Sequence, residues 1–379
     1  MNFKCVPVAL LALTFGFSSC DTDKAEPTPA LRTKMDYASL TATTKYTESF
    51  KDASGQSTVD LTASNTRLDM FTEFNNYMAL VATTTAPSTL DVTKLRSMYT
   101  GSTFSNAALN TSGLQLRNTT AASFSATGAE AARTYIDNNI TLLADASRSV
   151  NTPAAPGVAG RIGRYLVDGK GVEVNQVIQK ALIGAVLLDQ IDHMLLSDQA
   201  LNANNSKTVD GKPYSELEHN WDLAYGYMTS KPIMTTVFDA NNRERFLAGY
   251  LNEKNASASP GVYMAFLKGR AAIVNNDKAE VKNQANIIRT ELEKTIALSA
   301  VSYLNSWKSN PDLAAKTHAL AEGLGFIYSL RFCSKYGADA AFSDGVLNPL
   351  TAGTNGVWSL TNAQADVAIN AIKAKFNIQ

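Results

Sequence analysis

Residues 215–228 read SELEHNWDLAYGYM, and the reading of this run decides the fold. Ser215 followed by Glu218 is a capping box: the serine hydroxyl accepts from a backbone amide, and the glutamate reaches back to the serine N–H. A helix that begins there turns by about 100° per residue. Leu217, Trp221, Ala224 and Met228 then share one face with Tyr225 at its edge, and His219, Asp222 and Gly226 lie opposite. The run is predicted to be a helix with a polar, imidazole-bearing side.

The same period recurs outward in both directions. Helical spacing predicts helices over 67–81, 89–99, 128–147 and 173–197, and after the quoted run over 242–252, 262–274, 278–306, 312–335 and 361–376. Threonine and serine are dense from 37 to 64, where FKDASGQSTVDL (50–61) alternates like a short extended or hairpin element. Prolines and glycines in NTPAAPGVAGRIGRYLVDGKG (151–171) predict a long loop. The expected fold class is all-α, built of helical bundles, with a short extended or hairpin segment near the N-terminus. Residues 37–379 form this domain, either undivided or as two closely packed helical halves meeting near the 151–171 loop.

The chain starts MNFKCVPVALLALTFGFSSC. Lys4 precedes an apolar run, Val6 to Phe17, that is too short to span a bilayer. Phe17-Ser18-Ser19-Cys20 matches a lipobox. Residues 1–19 are therefore expected to be a lipoprotein signal peptide, Cys20 the lipidated first residue, and 20–36 a flexible tether. The alternative is an ordinary secretory signal with a cysteine there by chance. Each buried methylene of a lipid on Cys20 would contribute about 0.8 kcal/mol of anchoring. This predicts an outer-membrane lipoprotein of the cell envelope, with the membrane as one partner and its periplasmic or outward orientation left open. The 34 lysines and arginines equal the 34 aspartates and glutamates, without a basic cluster, so nucleic acid is not an expected partner. With the leader gone only Cys20 and Cys333 remain, which excludes a disulfide framework. The sequence sets no oligomeric state.

Three histidines, each near a carboxylate in helical register, are the candidate functional residues. His219 has Glu218 and Asp222 beside it, although Glu218 already has a capping role and a solvated polar face would look the same. His318 and Glu322 are four apart in NPDLAAKTHALAEGLGFIYSLRF (310–332), hence adjacent on a helix that is otherwise apolar. Gly325 and Ser329 continue that stripe. A polar stripe on such a helix is expected to be buried, so its carboxylate must be paired, by an internal His–Glu ion pair or by a shared metal. His193, one turn after Asp189, repeats the pattern, and Glu291 and Glu293 could add to it. Imidazoles and carboxylates projecting inward from several helices are how bundles build metal sites, and mixed N/O ligands suit iron or zinc. The candidate metal ligands are thus His219, Asp222, Glu218, His318, Glu322 and His193. No serine elbow, phosphate loop or zinc-protease helix is present.

Glu218, His219, Trp221, Asp222, Ala224, Gly226 and Tyr227, then Lys268 to Ile273 (KGRAAI), then His318, Glu322, Gly323, Gly325 and Phe326, together resemble a family of Bacteroidetes lipoproteins built on a domain of unknown function. That family is similar to the imelysin-like proteins, which are helical, exported and linked to iron acquisition. Their hallmark is G-x-H-x-x-E. Here His219 agrees, Leu217 replaces the glycine and Asp222 replaces the glutamate. The resemblance implies a membrane-tethered protein that binds a metal or a metal-linked ligand, with His219 and Asp222 leading and an envelope transport partner. Two other readings stand beside it: a zinc-dependent peptidase with a carboxylate such as Glu218 as general base, and a non-catalytic envelope module whose polar pairs only fix helix register.

Overall fold

Side-chain caps start most of the helices. In the computed structural model, which describes residues 31–83, 86–239 and 241–379, the chain runs through α1 (Tyr46–Ser49), α2 (Thr62–Met78), α3 (Val92–Tyr99), α4 (Ala107–Asn110) and α5 (Ala126–Ser147). A hairpin of β1 (Gly160–Ile162) and β2 (Tyr165–Val167) precedes α6 (Val174–Leu182) and α7 (Glu216–Met228). Then come α8 (Phe246–Lys254), α9 (Ser259–Val274), α10 (Lys278–Ser309), α11 (Leu313–Ser329), α12 (Ala340–Thr351) and α13 (Asn362–Phe376). Asp91, Ser125, Ser215, Asp277, Asp312, Asp339 and Thr361 each accept a backbone amide at a helix start. The Ser215–Glu218 capping box forms as the sequence predicts. The signal peptide, Cys20 and most of the tether lie outside the described residues.

The molecule is all-α. α10, the longest helix, lies against α8, α9, α11 and α13, and α11 packs in turn on α6. The expected hairpin near the N-terminus is reduced to one antiparallel bridge, Lys51 to Ser57, around a turn at Gly55. The 151–171 loop holds the β1–β2 hairpin, with Gly160 opposite Val167 and Ile162 opposite Tyr165. Helix α12 has no counterpart among the predicted spans, because Gly345 and Pro349 interrupt its pattern. Pro349 sits in its last turn, while Val346 and Leu350 supply a buried face.

Two features shape the region around α6 and α11. A Cβ on Gly325 would lie 2.5 Å from the Lys180 Cβ, and one on Gly184 would collide with Ser329, so the backbones approach closely. After Leu182 the helix widens into π-turns over Ile183–Leu188 and Gln190–Leu195. Here the Lys180 and Ala185 carbonyls serve outside partners, accepting from the Ser329 hydroxyl (2.7 Å) and the Ala121 amide (2.7 Å). Among the described residues no helix is long and apolar enough to cross a membrane.

Candidate functional site

The polar side of α7 meets a buried arginine. Arg270, from α9, is fully buried, as are Glu218 and Asp222. Its Nε donates to Asp222 Oδ1 (2.9 Å), Nη1 to Glu218 Oε1 (2.9 Å) and Nη2 to Thr58 Oγ1 (2.9 Å). The guanidinium lies 5.0 Å from the centre of the Phe50 ring. Glu218 also receives Arg32 Nη2 (2.9 Å) and the Ser215 amide (2.8 Å), and the Tyr46 hydroxyl donates to Asp222 Oδ1 (2.7 Å). Two arginines thus face two carboxylates. Burial raises the Glu218 pKa, yet Arg270 and Arg32 outweigh it and hold the group below its ordinary value. At Asp222 burial wins over Arg270 and Tyr46, lifting it to about 6.

Asp222 and Gly226 are therefore not on a solvated face. The segment from Tyr46 to Thr58 covers Asp222, and α2 covers Gly226 through Ser64. Trp221 lies against Gly269, where any Cβ would collide with the indole, and its Nε1 donates to the Phe266 carbonyl (2.9 Å). His219 turns elsewhere: its half-buried ring stacks on Tyr214 at 4.2 Å between centres, and burial lowers its pKa.

His193 meets different neighbours again. Its Nε2 is 2.9 Å from the Phe332 carbonyl and 3.7 Å from Asp192 Oδ2. Asp189, expected beside it, instead accepts from the Ser123 amide (3.1 Å) and hydroxyl. The π-turns explain the difference, since residues four apart no longer stack where the helix is wider. Asp192 pairs with Arg289 (2.6 Å), and Glu293 accepts from the Lys335 and Tyr336 amides. Burial and the neighbouring Asp192 push Glu293 up to about 10, so that pair holds a proton. Glu291 accepts from Asn255 (2.9 Å), and Cys333 is buried.

The second motif faces a cleft. His318 and Glu322 lie on α11 as predicted, with Nε2 and Oε2 3.7 Å apart. His318 Nδ1 meets Glu173 Oε2 at 2.6 Å, and its ring stacks on Tyr165 at 4.4 Å between centres. Glu322 Oε1 accepts from Lys180 Nζ (2.8 Å) and the Tyr250 hydroxyl (3.2 Å). Lys180 also donates to Gln176 (2.8 Å) and Gln179. These groups floor a cleft of about 640 Å³, rimmed by Arg243, Arg245 and Phe238. Burial opposes charge on His318, but the bond to Glu173 and the attraction of Glu173 and Glu322 outweigh it and raise its pKa. Burial likewise opposes the Glu322 carboxylate, yet Lys180 and His318 hold its pKa below the ordinary value.

The six candidate ligands thus fall in three places, each ring with its own neighbours. Among the described residues no three histidine, cysteine, aspartate or glutamate side chains group so that they could hold a metal ion. The donors are also committed: Asp222 and Glu218 to Arg270, Glu322 to Lys180. A bare cation does not fit such a set, because it would sit against an arginine or lysine charge already in place. Sequence reading missed Arg270, Lys180, Glu173, Tyr46 and Arg32. The signal was a cation within an apolar run, alone at Lys180 and two residues after Lys268 at Arg270, which burial obliges to find carboxylates.

The chain belongs to the family described as a domain of unknown function, DUF4856, whose model matches residues 45–379. The match takes in Tyr46, Glu218, Asp222, Arg270 and the whole cleft floor. No curated protein and no solved structure matches.

Arg270→Met leaves two buried carboxylates without their cation and is expected to cost about 3–5 kcal/mol in urea unfolding. Adding Asp222→Asn should recover part of that loss. A single variant as stable as the parent would contradict the network's role. His318 should titrate above its ordinary 6.5 by NMR, and Glu173→Gln should bring the midpoint down. Because the folded chain holds this proton more tightly, the stabilisation is complete below about 6.5 and fades as pH rises through the folded value. A parent midpoint at or below 6.5 would rule this out.

Proposed function

We propose that this is a lipid-anchored binding protein of the cell envelope, tethered through Cys20, whose cleft between α6, α8 and α11 captures a small polar ligand. The observation that carries the reading is the cleft floor: Lys180, His318, Glu322 and the Glu173 behind them are charged, largely buried and mutually oriented, yet open to a cavity of ligand size. Side chains that paired only to fix helix register would not need to line a cleft.

The likeness to Bacteroidetes lipoproteins and to imelysin-like proteins belongs to this proposal, and with it a role in iron acquisition. The committed carboxylates refine its chemistry. Iron or another metal would arrive as a complex bringing its own donor atoms, and the cleft would recognise the organic part. The second envelope reading, in which polar groups are purely structural, is favoured for Glu218 by partners on both carboxylate oxygens and for Asp222 by the two donors on its Oδ1.

Two measurements on the full-length protein test the proposal. Cys20→Ser should move it from the membrane fraction to the soluble fraction, and retention in the membrane would refute the anchor. Native mass spectrometry of protein taken from its own membranes should find a bound small molecule that Glu322→Gln and His318→Gln lose but His219→Ala keeps. Any metal should track that molecule. A ligand indifferent to the cleft variants would overturn the assignment.

A further inference from the structure

The polar atoms at the cleft floor define a recognition problem with few solutions. His318 Nδ1 is taken by Glu173, and Glu322 Oε1 by Lys180 and Tyr250. The Lys180 ammonium has its three donors used, on Gln176, Gln179 and Glu322. The Tyr303 hydroxyl adds a bond to the Glu322 carboxylate, and His318 Nε2 and Glu322 Oε2 face each other across the rest of the floor. They are 3.7 Å apart, too far to bond directly and close enough for one atom to bond both. The Tyr165 stack fixes the imidazole plane, and the Lys180 and Tyr250 bonds fix the carboxylate, so the gap is preorganised.

We infer that the cleft takes a polyhydroxylated ligand, a sugar or a polyol, one hydroxyl of which is clamped between His318 Nε2 and Glu322 Oε2. This deepens the binding-protein proposal and rests on it. A hydroxyl is the group that accepts and donates through a single atom: its oxygen takes the Nε2–H and its proton goes to Oε2. A carboxylate on the ligand would meet Glu322, and an ammonium would meet His318 beside Lys180. Charge around the cleft points the same way. Lys180 pairs with Glu322, Arg243 with Glu253, Arg245 with Asp69 and Glu244 with Lys231, and the His318 charge is matched by Glu173 behind it. The cleft has no surplus charge to draw in an ion. Its other lining groups suit neutral polyols: the Asn75 and Gln176 amides offer hydrogen bonds, and the Tyr303 and Phe246 rings offer apolar surface.

The test uses the full-length protein in a polyoxyethylene detergent, which carries no sugar. Calorimetric titrations compare neutral saccharides and polyols with dicarboxylates, amino acids and ferric citrate. At least one neutral saccharide or polyol should bind one to one. Its deoxy analogues, tested on the parent protein, should include one that binds about tenfold more weakly or worse, the loss expected for a hydrogen bond to a charged group. Glu322→Gln should weaken the parent sugar by a similar factor and erase the difference between the sugar and that analogue. The deoxy series on the parent protein keeps the test independent of how well the variant folds. Saccharide binding that ignores Glu322→Gln and every deoxy change overturns the clamp. Binding at the cleft only by non-hydroxylated ligands, lost in Glu322→Gln, overturns the polyol inference and leaves the binding protein standing. Binding by no ligand of any class overturns both.

Discussion

One guanidinium ties together α7, α9 and the segment from Tyr46 to Thr58. Arg270 sits fully buried between two carboxylates of α7 and the Thr58 hydroxyl, and its charge is tolerable only because all three are in place. The partners come from two separate stretches of chain. Glu218 and Asp222 fix how α7 lies on α9. Thr58, with Tyr46 reaching Asp222, fixes how the 46–58 segment crosses both. Arg32 adds a second cation at Glu218, at the point where the predicted tether would reach the domain. Replacing such a network with apolar residues can leave stability unchanged, so its value lies as much in specifying one arrangement as in strength.

Committing the first motif to architecture makes the second stand out. Glu173, Lys180, His318 and Glu322 are also charged and mostly buried, but they stop at a cavity rather than at another element. Their positions depend on backbone contacts a few residues away. Gly325 allows α11 to lie directly on Lys180, and the wide turns after Leu182 leave the Lys180 carbonyl to accept from Ser329. The cleft floor is thereby built on two helices that cannot slide past each other without clashing.

What the sequence made legible follows from what local spacing can encode. The Ser215–Glu218 box and the His318–Glu322 adjacency are relations within one turn, and each is realised. The partners of those residues are relations across the chain, and no local pattern carries them. Whether Asp222 is a ligand or part of a solvated face stays open in the sequence, because nothing near it shows that Tyr46 will cover it. Asp189 and His193 attract each other without closing into a hydrogen bond, for a different reason: spacing arguments assume an α-helix, and the chain is π-turned there. Helix α12 escapes notice because Pro349 reads as a break, although in the final turn it removes a single intrahelical hydrogen bond and leaves the preceding turns intact. A buried cation in an apolar run was the available clue to both clusters.

Hydrogen–deuterium exchange across residues 46–58 in the parent and in Arg270→Lys tests the organising role of Arg270 most directly. Lysine keeps the charge but lacks the fork that reaches Glu218, Asp222 and Thr58 together. Amides of this segment should exchange about tenfold faster or more in the variant, while those of α10 and α11 keep their protection. Equal protection of residues 46–58 in both proteins would contradict the account, because the segment would then be held without the guanidinium.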